Sequence, residues 1–381
     1  MQRIVYRGPR EYQWVFLAML RVWRRELMYR ARRHYVPTQD FLSERAWLAQ
    51  SLRCDEGSIG LQLIAGDASP RKFYRASLCL NGEIQTHILM VSPPTENNEQ
   101  FVLVQGLLKA AGVSVPRLQR ADLSLGLFLL EDLGDVTYWS ALQEGDVDIY
   151  YTRALIALSD MQALSGAQTV LPLYDDKELQ RELTICPEWF FARALSMDLG
   201  PADEAIFERF SQCLLSVAAE QPSRFVHRDY HSRNLMVLDK GEIAIIDFQD
   251  AIIGPITYDA VSLLKDVYIV WPREQQISWL AQYWRLLVSA GYLPDDSWGA
   301  FVRWYDLMGL QRHVKILGVF SRLWLRDQKP AYMHDIPVVI DYIREACGLY
   351  SKDYSAIADF WKWFEDTVLP RVQQADWYAS S

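Results

Sequence analysis

The sequence predicts an α+β protein of two lobes: a small N-terminal lobe with an antiparallel sheet and one helix, and a larger, mostly helical C-terminal lobe. Residues 61–94 alternate apolar and polar side chains as strands do, and Asn81-Gly82 within them is a strong hairpin signal. After Leu133 the apolar residues mostly recur at helical spacing instead. With 381 residues the chain can hold one large or two modest domains with a sizeable core.

The N-terminal lobe is predicted to contain several strands and one long helix. The strands are expected at about 61–65, 72–80, 84–91, 117–121 and 126–131, and the helix at 99–111. Gly112 ends that helix, because glycine readily adopts the left-handed conformation of a helix stop. A short amphipathic helix at 41–55 precedes the sheet. We therefore place a basic helical extension at 1–40, the small lobe at 41–133 and the large lobe at 134–381.

The C-terminal lobe is predicted to be helical except around one polar motif. Helices are expected near 137–143, 147–164, 176–183, 187–197, 201–220, 257–267, 273–290, 296–327, 335–348 and 353–378. Two short strands, 235–238 and 243–246, interrupt this series. No internal repeat or low-complexity tract is found in the sequence.

The charge balance excludes some classes of function. The net charge is −9, which argues against a general nucleic-acid binder. The first 40 residues carry nine arginines and three acids, a net +6, so residues 41–381 carry −15. Residues 11–35 predict a basic helix. It either binds peripherally to a membrane or partner, or is an extension docked on the protein, or precedes a later translation start at Met28. No apolar run reaches about 18 residues, so we expect no stable insertion in a membrane.

The cysteines indicate a reducing environment. There are five, an odd number, and no pair has the CxxC spacing of zinc or redox sites. We expect a cytoplasmic protein without disulfides and without a structural zinc ion.

Residues 225–250, FVHRDYHSRNLMVLDKGEIAIIDFQD, hold the polar motif. Six ionisable or amide side chains lie close to apolar runs, where they are costly unless they share a function: His227, Asp229, His231, Asn234, Asp247 and Asp250. A tight turn at 239–241 between the two short strands brings Asn234 and Asp247 together, with Asp229 close by. Carboxylate and amide oxygens are ligands that suit Mg²⁺, which also keeps waters and takes phosphate oxygens.

The motif resembles a family of small-molecule kinases. H-x-D-x-H-x-x-N followed by I-D-F-x-D is similar to the aminoglycoside phosphotransferase and choline kinase superfamily, in which the fold is bilobal and protein-kinase-like. The segments GDASPRKFYR (66–75), LLEDLGDVTY (129–138) and GLQRHVKILGVFSRL (309–323) are similar to its branch of cell-wall amino-sugar kinases. These enzymes phosphorylate the anomeric hydroxyl of N-acetylmuramate or N-acetylglucosamine in peptidoglycan recycling. The resemblance covers about residues 42–350.

The resemblance implies roles for the motif residues. Asp229 would be the catalytic base, and Asn234 and Asp247 would bind Mg²⁺ with ATP as the phosphate donor. His227 and His231 would brace the loop. Asp250 would lie near the acceptor or support its neighbours.

The resemblance also implies nucleotide contacts in the small lobe. The turn with Gly66, Asp67 and Ser69 would cover the phosphates, and Glu131 and Leu133 would hydrogen-bond adenine through their backbone. Arg71 and Arg75 are four apart on one face and either reach the phosphates or face water. Many kinases of this fold carry a lysine on the third strand, where this chain has Met90. Some other cation must then serve, and Lys72, Arg71 and Arg75 are candidates.

The acceptor is less specified than the chemistry. Arg312 and His313 on helix 296–327 either line the acceptor site, where an arginine fork would suit a lactyl carboxylate, or belong to a solvated face. Three hypotheses remain. The first is an amino-sugar kinase, and the second is another small-molecule kinase that acts on an aminoglycoside, choline or another sugar. The third is a catalytically weak nucleotide-binding pseudokinase.

Overall fold

A computed structural model describes residues 42–64, 70–80, 82–143, 145–164, 167–238 and 241–379. The basic helix expected at 11–35 and the turn with Gly66, Asp67 and Ser69 lie outside these residues. The chain divides into two compact units, residues 1–59 and residues 60–381. In the first unit the described part consists of helix α1, Leu42–Leu52, and a 3₁₀ turn, Glu56–Ser58. The second unit holds the sheet and the helical lobe.

The small lobe is built on a five-stranded sheet whose strand order is β1-β2-β3-β5-β4, with antiparallel pairing throughout. The strands are β1 Gly60–Ile64, β2 Lys72–Leu80, β3 Glu83–Val91, β4 Leu118–Asp122 and β5 Leu127–Glu131. Helix α2, Asn98–Ala110, lies between β3 and β4 and starts at Asn97, whose side chain accepts a hydrogen bond from the Gln100 N–H. Gly112 follows with φ +77°. The predicted hairpin, helix and helix stop are therefore confirmed.

The large lobe is mostly helical, as predicted. Its α-helices are α3 Tyr138–Ala141, α4 Val147–Gln162, α5 Asp176–Ile185, α6 Pro201–Ala219, α7 Tyr258–Leu264, α8 Arg273–Ser289, α9 Trp298–Leu325, α10 Ile336–Tyr350, α11 Ser355–Trp363, α12 Leu369–Gln374 and α13 Asp376–Ala379. Two segments expected to be α-helical contain π-helix instead, at Cys186–Ala194 and Phe364–Val368. Pro187 and Pro370 lie at these junctions and remove a backbone donor from the α-helical pattern.

Four short strands frame the polar motif. The predicted pair is present as β7 Leu235–Val237 and β8 Ile243–Ile245. The sequence prediction missed β6 Ser223–Val226 and β9 Ile252–Pro255, which pair with each other. Each has four residues, too few for a clear alternation, and all of β9 is buried. Since β6 leads into the motif and β9 leaves it, the polar loops are held at both ends.

Helix α9 forms the centre of the large lobe. Every residue from Tyr305 to Val314 is buried, so its polar side chains there must find partners inside the protein. Gly318 comes so close to the backbone of Ile185 that an added Cβ would lie 2.5 Å from it, which requires glycine. Among the described residues, no helix combines the length and apolar character needed to cross a bilayer.

Candidate active site

The loop 227–234 and Asp247 meet at the end of the β7–β8 hairpin. The Ile246 N–H donates to the Asn234 carbonyl at 3.0 Å, which sets the two chain segments side by side. The side-chain nitrogen of Asn234 donates to the Asp229 carbonyl at 2.9 Å and lies 3.5 Å from Asp247 Oδ2. The convergence of Asp229, Asn234 and Asp247 expected from the hairpin is therefore present.

Two residues of this site have strained backbone. Arg228 has φ +80° and Asp247 has φ +64°. Residues other than glycine seldom adopt positive φ values of this kind. Buried Asp259 stabilises the first of these turns, because its carboxylate accepts from the N–H groups of His227 at 2.6 Å and Arg228 at 3.0 Å. Burial raises the pKa of Asp259 to about 7, against the effect of those two hydrogen bonds. Asp259 thus tethers the loop rather than capping a helix.

His227 links the loop to the segment that carries Asp247. Its Nδ1 accepts from the Asp229 N–H at 3.3 Å, so its Nε2 donates to the Ile246 carbonyl at 3.1 Å. The side chain is fully buried, and burial lowers its pKa to about 4 although the Asp229 charge acts in the opposite direction. A neutral imidazole with its proton on Nε2 therefore fits this position.

His231 lies on the other side of Asp229 with its ring against the edge of Tyr268, at 5.5 Å between centroids. Its N–H donates to the Asp229 carbonyl, and its own carbonyl accepts from the Asn234 N–H. Burial lowers the pKa of His231, opposed by Asp266 and Asp229. Its backbone, rather than its ring, shapes the turn that joins the base and the amide.

Asp229 is ionised and half exposed, with 47% of its side chain accessible. Its surroundings oppose ionisation through lost hydration, but the positive charges of Arg312 and Lys315 lower its pKa to about 2. Arg312 Nη2 lies 3.7 Å from Asp229 Oδ1, and Arg312 Nη1 donates to the Arg228 carbonyl at 2.8 Å. The Arg312 guanidinium therefore contacts both the carboxylate of Asp229 and the backbone of the loop.

A buried carboxylate lies on the same side of the loop. Glu182 on α5 is 1% exposed and accepts hydrogen bonds from Tyr174, Arg228 and Lys315. Burial works against its ionisation, but Lys315 and Arg228 lower its pKa to about 2. Because Arg228 belongs to the strained turn, this pair fixes the residue next to Asp229.

Asp247 is exposed at the end of its loop and is held by one neighbour. Gln249 donates to Asp247 Oδ1 at 2.8 Å, at the position where protein kinases have glycine. Limited hydration raises the pKa of Asp247; the Gln249 hydrogen bond opposes that rise, whereas the charges of Asp229 and Asp250 add to it. Asp250 itself is exposed. A cation near these carboxylates would relieve their repulsion.

The donor set fits Mg²⁺. Asp247 offers a carboxylate oxygen, and Asn234 donates through its nitrogen, which leaves its amide oxygen as an acceptor. Two hard oxygen donors beside open solvent match an ion that keeps waters and takes phosphate oxygens. No group of three or more His, Cys, Asp or Glu suited to a metal occurs within the described residues.

A cleft of about 470 Å³ opens beside these residues. We call its two sides the loop wall, formed by Arg233, Asn234, Asp247, Phe248 and Gln249, and the sheet wall, formed by Arg71, Phe73, Arg75 and Ile88. Glu131 and Leu133 line the strand-to-lobe linker at the edge of the same cleft. Six predicted site residues therefore share this cleft: Arg71, Arg75, Glu131, Leu133, Asn234 and Asp247.

The arginines of the sheet wall are occupied by carboxylates. Arg75 bonds Asp132 Oδ2 at 2.6 Å and Asp135 Oδ1 at 2.8 Å, both in the linker. Arg71 is 4% exposed, donates to Ser92 Oγ at 3.1 Å and lies 3.7 Å from Glu96. Arg75 therefore neither faces water nor is free for phosphates, and it ties β2 to the linker instead.

Aromatic contacts join the loop wall to helix α2 and strand β5 behind the cleft. Phe248 of the loop wall stacks on Phe101 of α2 at 5.1 Å, and Phe101 meets the edge of Phe128 on β5 at 5.5 Å. Met90 is completely buried in the same core cluster. The third strand therefore contributes Met90 to packing.

Two predicted acceptor residues are not available in the expected way. His313 is 1% exposed, stacks on Tyr342 at 4.5 Å and bonds the Lys265 carbonyl, so it does not reach the cleft. Arg312 is 7% exposed and engaged by the catalytic loop. The error arises because α9 is buried on all sides in this stretch, whereas its polar residues suggested a face open to the cleft or to solvent.

Sequence reasoning missed Glu182 and Gln249 as functional neighbours. Glu182 lies in an ordinary amphipathic helix pattern, 47 residues before Asp229, and no local signal marks it. Gln249 did carry a signal, since it replaces the glycine that follows Asp-Phe in protein kinases.

Comparison with known proteins identifies a protein family whose model matches this chain. A model of the phosphotransferase enzyme family matches residues 60–297. An N-acetylmuramate/N-acetylglucosamine kinase from Pseudomonas aeruginosa is 41% identical over 282 residues, 74% of this chain and 82% of that protein. Another with the same name, from Neisseria meningitidis, is 35% identical over 301 residues, 78% and 88% of the two chains. The ADP-bound aminoglycoside phosphotransferase APH(2″)-Ib superposes with a TM-score of 0.55 at 11% identity, over 80% of this chain and 98% of that one.

Proposed function

We propose, from the premise that the chain belongs to the phosphotransferase enzyme family, that it transfers the γ-phosphate of ATP to the anomeric hydroxyl of N-acetylmuramate, N-acetylglucosamine or both. The observation that carries this proposal is the 41% identity to an N-acetylmuramate/N-acetylglucosamine kinase over 82% of that relative. The reaction would serve peptidoglycan recycling in the cytoplasm.

Asp229 is the base in this proposal. Its carboxylate, with a pKa of about 2, stays ionised at neutral pH and can accept a hydrogen bond from the acceptor hydroxyl. Such a weak base contributes mainly by orienting the hydroxyl and stabilising positive charge on it as the new bond forms. Arg312 lies beside the carboxylate, and His227 accepts a hydrogen bond from the backbone N–H of Asp229.

Asn234 and Asp247 would hold Mg²⁺ against the triphosphate. The ion would bridge phosphate oxygens and neutralise the charge that develops during transfer. Asn234 positions the base as well, because its amide nitrogen bonds the Asp229 carbonyl. Glu131 and Leu133 at the edge of the cleft would hydrogen-bond adenine through their backbone.

The charges around Asp229 are compatible with both sugars. Arg228, Arg312 and Lys315 provide three positive charges, and Asp229 and Glu182 with nearby Glu178 provide three negative ones. This balance gives no strong preference for the lactyl carboxylate of N-acetylmuramate over the neutral N-acetylglucosamine.

The test is an acceptor screen with the full-length chain. ATP consumption is measured with N-acetylmuramate, N-acetylglucosamine, kanamycin and choline, in Mg²⁺ and after its removal with EDTA, and phosphorus NMR locates the new ester. We expect turnover of one or both amino sugars in Mg²⁺ only, with the phosphate on the anomeric oxygen. Turnover of kanamycin or choline alone, or a phosphate on another hydroxyl, would overturn the proposal.

A further inference from the structure

The cleft needs a cation that its sheet wall does not offer. An ATP triphosphate carries about four negative charges and one Mg²⁺ leaves about two of them, so a positive side chain normally assists. Among the described residues, the arginines that line the cleft are Arg71, Arg75 and Arg233. The question is which of them can turn its charge toward the phosphates.

Arg71 and Arg75 are already engaged. Arg75 is held by Asp132 and Asp135, and Arg71 is buried against Ser92 near Glu96. Releasing either one would expose a carboxylate partner and cost part of the gain. Lys72 is exposed and is not among the residues that line the cleft.

Arg233 is in a different situation. Its side chain is exposed, and it makes no salt bridge with any residue in the described ranges. Its guanidinium lies 3.6 Å from the centre of the Tyr268 ring and 5.8 Å from that of Trp139. A guanidinium held on an aromatic face keeps its N–H edge open for an anion, whereas one held by a carboxylate does not.

The aromatic support is itself fixed. Buried Asp266 accepts from the Tyr268 N–H at 2.9 Å and from the N–H of Ser232 at 3.1 Å. It therefore holds both the residue before Arg233 and the residue that carries the ring. Asp335 also interacts electrostatically with Arg233: burial raises the pKa of Asp335 to about 6, and the arginine charge opposes that rise.

We propose that Arg233 is the residue that binds the β- and γ-phosphates of the nucleotide, in place of the third-strand lysine that Met90 replaces. Arg233 precedes the proposed metal ligand Asn234 and lines the same cleft as Asp247. The planar fork of the guanidinium suits two phosphate oxygens at once. The inference rests on the proposed function only in taking ATP as the donor, and it is independent of the acceptor.

Titration calorimetry with the full chain tests this without an acceptor. Adenosine, ADP and the non-hydrolysable analogue AMP-PNP are titrated with Mg²⁺ into the parent, Arg233→Met, Arg233→Lys and Arg193→Met. Arg193 is the matched control, since it is an exposed arginine 3.9 Å from the Trp189 ring and outside the cleft. Tyr268→Leu removes the aromatic support and keeps the arginine.

We expect Arg233→Met to weaken AMP-PNP about 10- to 100-fold, the usual value of hydrogen bonds to a charged group, with adenosine unchanged within about twofold. Arg233→Lys and Tyr268→Leu should fall between, and Arg193→Met should match the parent. AMP-PNP binding within about twofold of the parent in Arg233→Met, or an equal loss for adenosine, would overturn the proposal. A failed acceptor screen with this contrast intact would instead refute only the sugar.

Discussion

The loop wall and the sheet wall of the cleft handle charge in opposite ways. On the loop wall, Asn234 and Asp247 line the cleft, and Arg233 rests on the Tyr268 ring and makes no salt bridge within the described residues. On the sheet wall, Arg75 is bound by two carboxylates and Met90 behind it is completely buried. The charged groups of the loop wall remain available to a ligand, whereas the arginines of the sheet wall are already paired within the protein.

This contrast between the two walls indicates on which side of the cleft the proposed chemistry is concentrated. The loop wall and the loop that leads into it contain two left-handed residues, Asp247 and Arg228, and Arg228 pairs with buried Glu182. Such strain persists only where surrounding contacts fix it. The sheet wall has ordinary strand geometry. Substitutions on the two walls should therefore fail differently.

The largest effect is expected on the loop side of the cleft, at the base. Asp229→Asn keeps the size of the side chain but removes the charge that orients the hydroxyl, so kcat should fall about 10²- to 10⁴-fold. The binding constant for AMP-PNP should change little. Steady-state kinetics and calorimetry measure the two quantities, and Asp327→Asn, in an exposed pair with Arg326, is the control. A variant as active as the parent would remove Asp229 from the mechanism.

Glu182→Gln tests the buried support of the loop wall. The change leaves Arg228 and Lys315 without their shared carboxylate and should lower the free energy of unfolding by about 3 to 4 kcal/mol at pH 7. Displacement of the Arg228 turn should also lower kcat, by roughly tenfold. Urea unfolding and kinetics measure both effects, with Glu188→Gln at an exposed pair as the control.

The pH dependence of that stability has a defined sign. The pKa of Glu182 is about 2 in the folded protein, below its usual 4.5, so its stabilisation is fully present above pH 4.5 and is lost as the pH falls through 2. The difference between parent and Glu182→Gln should shrink over that interval. A difference that stays constant down to pH 2 would show that Glu182 acts through packing rather than charge.

Met90→Lys asks whether the third strand, behind the sheet wall, can accept a cation. A lysine at this fully buried position would lose the hydration of its charge, so stability should fall by about 3 kcal/mol. Met90→Leu conserves volume and should cost less than about 1.5 kcal/mol. Thermal unfolding and AMP-PNP titration are the measurements. Tighter nucleotide binding at unchanged stability would contradict the difference between the walls.

The smallest effect is expected for Arg75→Gln. Its bonds reach a buried carboxylate, Asp132, and an exposed one, Asp135, so the loss of stability should be about 1 kcal/mol. Because the guanidinium is turned to the linker, KM for ATP should rise less than about threefold. A rise above tenfold that spares adenosine binding would make Arg75 a phosphate ligand and weaken the case for Arg233.

Much of the fold was predictable because its signals are local. The alternation at 72–80 and 84–91 with Asn81-Gly82 between them predicted the hairpin, and Gly112 predicted the end of α2. Strands β6 and β9 were missed since four residues give no period and their pairing partner is 29 residues away in sequence. The π-helical segments were missed because a proline predicts a disturbed helix but not which pattern replaces it.

The candidate site divides in the same way. Asp229, Asn234 and Asp247 could be placed together because a hairpin of known length joins them. The family resemblance read from that motif is confirmed by the match over residues 60–297. The roles given to Arg75, Arg312 and His313 depended on which way each side chain points. Arg75 turned to the linker, Arg312 to the loop backbone, and His313 to Tyr342.

The two-lobed architecture and the grouping of Asp229, Asn234 and Asp247 could be predicted from the sequence, because turns, short hairpins and helix periods depend on neighbours along the chain. Which cations remain available in the cleft depends instead on contacts that form only in the folded protein. Whether an arginine is available depends on the carboxylate or aromatic ring that contacts it in the folded protein. Such partners are distant in sequence: Asp132, Glu182 and Tyr268 lie tens of residues from the arginines they contact.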